Sequence, residues 1–226
     1  MLSWTSFLRP RGFVLRRHMF SSYFMESGWR GVDGHLPLAQ TLWSQVIKKG
    51  EIVIDATCGR GNDSLVLCHL ALKDNSGLLY CVDIQEKAIK ETQNRLTEAY
   101  GSLYVSERVR FIHGNHDSFP STIPPESVSA VIYNLGYLPG SYEEGKMRLS
   151  THTETTILSF TNALPLLKIG GILSATAYRG HTQGVLEAKA CEDYFSLLDQ
   201  TKWRVYCHSP LNTMKGAILF TVCRRQ

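Results

Sequence analysis

The sequence lacks several features that would place it in common protein classes. No apolar run approaches the roughly 18 residues that a membrane-spanning helix needs, so no span is predicted. None of the six cysteines forms a Cys-x-x-Cys pair, and several lie in apolar patterns. Buried free thiols in a reducing compartment are therefore predicted, and no metal site. Internal repeats, low-complexity tracts and a second domain are also missing, which favours one α/β domain for 226 residues.

Acidic residues are absent from residues 1–25, which contain four arginines together with Ser, Phe and Leu. That composition is typical of an organelle transit segment, and an ordinary basic tail is the alternative. We predict a transit segment at 1–25, for a mitochondrion or chloroplast, and a single domain at 26–226. The four arginines account for the net charge of +4, because the rest of the chain balances 20 basic against 20 acidic residues. Nucleic-acid binding would therefore require a local patch.

The stretch 52–83 has the pattern of a nucleotide-binding βαβ unit. An apolar run from Ile52 to Ile54 leads into a glycine turn, a helical pattern and a second run that ends at Asp83. The third glycine of a dinucleotide fingerprint is missing, since Ser64 takes its place. Asp55 instead gives Asp-x-x-x-Gly-x-Gly, whose carboxylate favours the ammonium group of S-adenosylmethionine, contacted directly or through water. A capped glycine turn without a ligand and an NAD site are the alternatives.

The remaining chain continues the alternation of strands and helices. A helical stripe at 36–49 precedes the first strand and is expected to pack beside the cofactor site. Another helix should begin near Thr151, whose spacing to Glu154 fits a capping box, and end by Gly170-Gly171. The other predicted elements are a helix at 86–100, strands at 109–112, 128–133 and 172–178, a helix at 185–198, and strands at 203–207 and 217–222. This order predicts an α/β, Rossmann-like class I methyltransferase fold, with a seven-stranded, mostly parallel sheet, helices on both faces and an antiparallel last strand.

Polar clusters follow the carboxyl ends of the strands, where ligands bind in such sheets. Gly114-Asn115-His116 is expected at the adenine, and the alternative for Asn115 is a turn cap. The segment Asn134-Leu135-Gly136-Tyr137 resembles the Asn-Pro-Pro-Tyr element of amino methyltransferases. An Asn carbonyl oxygen can accept the hydrogens of an amine and aim its lone pair, and Tyr137 can stack on a base. A strand-ending turn with Asn in the αL conformation is the alternative.

A second cluster, Tyr178-Arg179-Gly180-His181, follows the fifth strand. An alkylamine is mostly protonated at neutral pH, so a base must take its proton, and we consider His181 and Tyr178 for this role. A structural role for His181 is the alternative. Loop residues that would form a phosphate-binding patch, or else scattered solvated charges, are Lys146, Arg148, Arg179 and Lys215.

Taken together, these motifs resemble one family over about residues 36 to 225. It is the YtqB/MnmM-like family of class I S-adenosylmethionine-dependent methyltransferases, also labelled rRNA methylases, and Asn-Leu-Gly-Tyr-Leu-Pro-Gly at 134–140 is its specific marker. The resemblance implies methylation of the 5-aminomethyl group of wobble 5-aminomethyl-2-thiouridine in the anticodon region of tRNA. A homodimer is a further hypothesis. Arg60 stands where the family has a short amide. The cofactor-binding candidates are Asp55, Gly59, Arg60, Gly61, Asn62, Asp63, Asp83, Gln85, Asn115, His116 and Asn134.

Alternative functions remain open at this point. The substrate is ribosomal RNA or a small amine in one alternative. In another, the chain is a non-catalytic, cofactor-binding partner of a different methyltransferase.

Overall fold

A seven-stranded sheet organises the protein, with strand order β3-β2-β1-β4-β5-β7-β6. The computed structural model describes residues 34–72, 76–136, 152–213 and 216–226. Strand β7 is antiparallel to both of its neighbours, and all the other neighbouring strands are parallel, which confirms the predicted fold. The strands are β1 Ile52–Asp55, β2 Leu78–Asp83, β3 Val109–His113, β4 Val128–Leu135, β5 Leu167–Tyr178, β6 Trp203–His208 and β7 Ala217–Arg224.

Helices cover both faces of the sheet because successive strand side chains point to opposite sides. Val53 packs in a core with Trp43 and Leu67, whereas its neighbour Ile54 packs in a second core with Phe160 and Phe195. The first core lies under α1 to α4 and the second under α5 and α6. The helices are α1 His35–Val46, α2 Asn62–Ala71, α3 Glu86–Tyr100, α4 Ser102–Arg108, α5 Thr153–Ala163 and α6 Thr182–Ser196, with a 3₁₀ turn at Leu164–Leu166.

The segment before β5 differs from the prediction. Helix α5 ends at Ala163, and β5 begins at Leu167, so Gly170 and Gly171 lie inside the strand. A Cβ on Gly171 would lie 2.9 Å from the carbonyl oxygen of Val128, where the pairing of β4 with β5 shifts register. The glycine pair therefore permits close backbone approach at an irregularity, and the predicted helix end there is wrong. The predicted cap Thr151 lies outside the described residues, and His152 occupies the N-cap position of α5.

Strand β4 continues two residues further than predicted and includes Asn134, which pairs with Thr176 of β5. Asn134 is thus extended backbone, and the alternative of an αL turn residue is excluded. The six cysteines are all free thiols, and four of them are buried. Within the described ranges, no helix combines the length and hydropathy that crossing a bilayer requires.

Candidate active site

The turn between β1 and α2 has the backbone geometry that the two glycines predict. Gly59 and Gly61 have φ angles of 52° and 75°, in the region that favours glycine. A Cβ on Gly61 would lie 3.0 Å from the Cα of Thr92 in α3, and the Thr92 hydroxyl donates to the Gly59 carbonyl at 3.0 Å. The turn is therefore held against α3 by contacts that only glycine allows.

Asp83 at the end of β2 links this turn to the start of α3. Its carboxylate accepts hydrogen bonds from the backbone N–H groups of Gly59 and Gln85, both at 2.9 Å. Burial raises the pKa of Asp83 above its ordinary value, against the lowering effect of these two bonds. Each carboxylate oxygen keeps lone pairs for further donors, such as ribose hydroxyls. Of the other turn candidates, Arg60 forms an ion pair with Glu91 at 3.7 Å, and Asn62 is the exposed first residue of α2.

Asp55 does not face the crevice. Its side chain is only 1% exposed, and its oxygens accept from the Ser64 hydroxyl at 2.6 Å and the Thr57 N–H at 3.3 Å. Burial first, and then the nearby charge of Asp63, raise the pKa of Asp55 to about 7. Asp55 therefore joins β1 to the first turn of α2, and Asp63 is the carboxylate that reaches the strand ends.

Asn134 lies at the centre of a chain of polar side chains. Its Nδ2 donates to Asp63 at 2.8 Å, and Asp63 also accepts from Gln40 of α1 at 3.2 Å. On its other side, Oδ1 of Asn134 lies 3.5 Å from the Tyr178 hydroxyl, which is 3.1 Å from Nε2 of His35 in α1. Because an ionised carboxylate only accepts hydrogen bonds, Asp63 fixes which end of the Asn134 amide faces Tyr178. Four elements thus hold one carbonyl oxygen in a defined direction.

The contribution of α1 was only partly predictable. The sequence predicts a helix beside the cofactor site, and the structure confirms the helix. The sequence does not mark His35 and Gln40, whose partners lie 143 and 23 residues away along the chain. Thr57 is a further residue that the sequence does not mark, although its hydroxyl accepts the backbone N–H of Asn134 at 2.7 Å.

His181, which the sequence predicts to act as a base, also makes a structural contact. Its Nδ1 accepts the N–H of Gly184 at 3.0 Å and so caps α6. Arg179 is likewise engaged, since its guanidinium donates to the Gly216 carbonyl at 2.9 Å and to the Ser209 hydroxyl at 3.2 Å. Arg179 therefore ties the β6–β7 connection to the end of β5. The remaining substrate candidates, Tyr137, Lys146, Arg148 and Lys215, lie outside the described residues.

In the loop after β3, His116 is 8% exposed and packs edge-on against Tyr133, with ring centroids 5.9 Å apart. Burial lowers its pKa to about 4, so the ring is neutral at pH 7. Its Nε2 is buried and has no hydrogen-bond partner among the described residues. The neighbouring Asn115 is partly buried. An unpaired buried nitrogen is costly, and the edge of an adenine would satisfy it.

These groups fit S-adenosylmethionine. The glycine turn allows close backbone approach, Asp83 offers acceptors for the ribose, and His116 offers a polar atom for the base. The carboxylate of Asp63 adds negative charge where a cationic donor would lie. Burial raises the pKa of Asp63 above its ordinary value, and the hydrogen bonds from Asn134 and Gln40 partly offset that increase.

The chain is also similar to known proteins. Residues 79–224 match the family described as "Putative rRNA methylase". A curated relative, the "tRNA (mnm(5)s(2)U34)-methyltransferase, chloroplastic" of Arabidopsis thaliana, is 35% identical over 193 residues. That alignment covers 84% of this chain and 69% of the relative.

Two solved structures are also similar. A Clostridium thermocellum protein with the same description as the family superposes with a TM-score of 0.75 at 32% identity, over 84% of this chain and 97% of the other. A Streptococcus mutans protein in complex with SAH, the demethylated product of S-adenosylmethionine, superposes with a TM-score of 0.69 at 31% identity. That match covers 83% of this chain and 96% of the other.

Proposed function

Because this chain belongs to the rRNA methylase family of S-adenosylmethionine-dependent methyltransferases, we propose that it N-methylates the 5-aminomethyl group of wobble 5-aminomethyl-2-thiouridine in tRNA. The product is 5-methylaminomethyl-2-thiouridine. The Arabidopsis relative, whose name gives this nucleoside, supports the choice of substrate. The observation that carries the proposal is the fixed direction of the Asn134 amide.

The chemistry follows from that direction. S-adenosylmethionine supplies, when bound, a methyl carbon made electrophilic by its sulfonium sulfur. Asn134 accepts an N–H of the substrate amine at Oδ1 and thereby aims the nitrogen lone pair. Asp63 keeps the amide from turning, because a turned amide would place its oxygen against the Asp63 carboxylate and its NH₂ group against the amine. Asp83, Gln85 and the glycine turn hold the nucleoside part of the donor.

The direct test is methylation by the purified protein. It is incubated with S-adenosylmethionine and with unmodified tRNA, aminomethylated tRNA or ribosomal RNA, and the nucleosides are analysed by mass spectrometry. We expect 5-methylaminomethyl-2-thiouridine from the aminomethylated tRNA alone. Methylation of ribosomal RNA instead, or no turnover on any substrate, would overturn the proposal.

Asn134→Ala is the matching variant. Removing Oδ1 leaves the amine without its orienting acceptor, and we expect kcat to fall by about 10²- to 10³-fold, the range for one such group. The affinity for S-adenosylmethionine, measured by titration calorimetry, should change far less. Asn94→Ala, on the exposed face of α3, is the control and should retain wild-type kcat. Equal kcat for the Asn134 variant and the wild type would exclude the proposed role.

The cellular setting belongs to the same proposal. We propose that residues 26–226 form one methyltransferase domain, acting as a homodimer, and that residues 1–25 direct it to an organelle. The relative's chloroplastic location supports the organelle. A fluorescent protein fused behind residues 1–25 should co-localise with chloroplasts or mitochondria, and diffuse cytosolic fluorescence would contradict the assignment.

A further inference from the structure

Amine methylation requires a deprotonation step besides the orientation of the amine by Asn134. The substrate amine binds mostly as an ammonium ion at neutral pH, and an ammonium ion has no lone pair with which to attack the methyl carbon. A proton must therefore leave the amine before transfer. The inference below rests on the proposed function and concerns where that proton goes.

Two sequence-predicted bases, taken alone, are unsuitable as the final acceptor. Burial, together with the charge of Asp63, raises the pKa of Tyr178 to about 12, so its hydroxyl stays protonated. A hydroxyl of this kind can transfer a proton between two neighbouring groups, but it is not the group on which the proton finally resides. The Nδ1 of His181 accepts the Gly184 N–H and would have to abandon its cap of α6 to take a proton.

The side chain that completes the chain of contacts is His35. Its Nε2 lies 3.1 Å from the Tyr178 hydroxyl, and that hydroxyl lies 3.5 Å from Oδ1 of Asn134, the atom that receives the amine. An amine bound at Asn134 is therefore a neighbour of the Tyr178 oxygen. His35 is partly exposed near the start of α1, so it can release a proton to water.

We propose that His35 is the terminal proton acceptor of this reaction and acts through Tyr178. As an N–H bond of the substrate ammonium breaks, an O–H bond forms on Tyr178, and the original hydroxyl hydrogen of Tyr178 moves to Nε2 of His35. The amine is left neutral with its lone pair, and the positive charge moves to the imidazole. His35 then loses this proton to solvent.

The charges around His35 support this direction of transfer. Among the described residues, the titratable groups that face it are Tyr178 of β5 and Asp63 of α2. Partial burial lowers the pKa of His35, and the charge of Asp63 opposes that shift. The ring is therefore neutral and able to accept near pH 7, and Asp63 stabilises the imidazolium while it exists.

His35→Gln tests the proposal, because glutamine keeps a hydrogen-bonding side chain but cannot hold a proton. We expect kcat/KM for aminomethylated tRNA to fall by about 10²-fold at pH 7, the lower end for general base catalysis. The loss should shrink as the pH approaches 9.5, since the amine then arrives already deprotonated. His69→Gln, at the far end of α2, should follow the wild-type profile.

Failure of the proton relay and failure of the proposed function would give different results. Wild-type activity of His35→Gln at pH 7, or a loss that is equal at every pH, overturns the relay. Tyr178→Phe should show the same pH pattern, and the double variant should be no worse than either single variant, because the two act as one unit. If the wild-type protein does not methylate aminomethylated tRNA at all, the proposed function fails instead.

A measurement without turnover checks the contact itself. The His35 imidazole resonance, assigned by its absence in His35→Gln, should titrate at a different pH in Tyr178→Phe than in the wild-type protein. An unchanged titration would show that the two side chains do not interact, and it would overturn the proposal independently of activity.

Discussion

At the scale of single residues, the site depends on the difference between a carboxylate and an amide. Asp63 accepts from two amide nitrogens, Nδ2 of Asn134 and Nε2 of Gln40, and offers no donor of its own in the ionised form. An asparagine at position 63 has the same shape but places an NH₂ group against one of those two NH₂ groups. The orientation of Asn134 would then no longer be determined.

Asp63→Asn is therefore expected to reduce kcat by about 10- to 100-fold, because a misdirected buried amide costs about 1–3 kcal/mol. Single-turnover methylation of aminomethylated tRNA measures the change, and circular dichroism checks the fold. The control is Asp193→Asn on the exposed face of α6, where the carboxylate pairs with Lys189 in a surface i,i+4 contact. A variant that retains wild-type kcat would show that Asp63 does not orient Asn134.

The sequence alone predicts the residues of this site whose neighbours along the chain form a motif. Asp63 follows the glycine turn, and Asn134 and Tyr178 each end a strand, so the rule for parallel sheets places them together. His35 and Gln40 follow no such rule. They are polar positions on an amphipathic helix, and only the packing of α1 against the strand ends gives them partners.

At the scale of elements, glycines either form a turn or permit close approach of two backbones, and the sequence does not separate these two functions. Gly59 and Gly61 follow an apolar run and precede a helical pattern, so their turn was predictable, and the structure confirms it. Gly171 reads as a helix end by the same logic, yet it lies in β5 and prevents a clash with Val128. Helix α4, with seven residues, was also not predicted, because it is too short for its periodicity to be recognised.

A third close approach gives a prediction at this scale. A Cβ on Gly184, in the first turn of α6, would overlap the carbonyl oxygen of Tyr178. Gly184→Ala should push α6 from the end of β5 and lower stability by about 1–3 kcal/mol, the usual cost of overpacking.

Thermal unfolding measures this effect, and the expected decrease in Tm is at least about 2 °C for a protein of this size. Gly180→Ala is the control, because no atom of the described residues, apart from its chain neighbours, lies within 4 Å of the added Cβ. Equal Tm values for the two variants would show that α6 does not depend on this contact.

At the scale of the whole molecule, negative charge is concentrated at one edge of a chain that is otherwise balanced. Asp55, Asp63 and Asp83 all lie where β1, β2 and α2 meet, and burial raises the pKa of each one. Electrostatic repulsion from Asp63 and Asp83 adds to the shift at Asp55. The folded protein therefore binds protons at this edge more tightly than the unfolded chain does.

This predicts an unusual pH dependence of stability. Asp55 has a pKa of about 7 in the folded state and 3.8 as the reference for the unfolded chain, so its favourable contribution is complete below pH 3.8 and is lost as the pH rises through 7. The free energy of unfolding should fall by up to about 1.4 kcal/mol per pH unit within that window and level off above it. Urea unfolding between pH 4.5 and 8.5, at roughly one-unit intervals, measures the slope.

Asp55→Asn removes the titrating group. It keeps an oxygen that accepts the Thr57 N–H and adds an NH₂ group that can donate to the Ser64 hydroxyl. The variant should show a shallower slope and a larger free energy of unfolding than the wild type at pH 8. Some slope should remain, because Asp63 and Asp83 shift in the same direction. Identical slopes for the two proteins would mean that the pKa of Asp55 is the same in the folded and unfolded states, and would overturn this prediction.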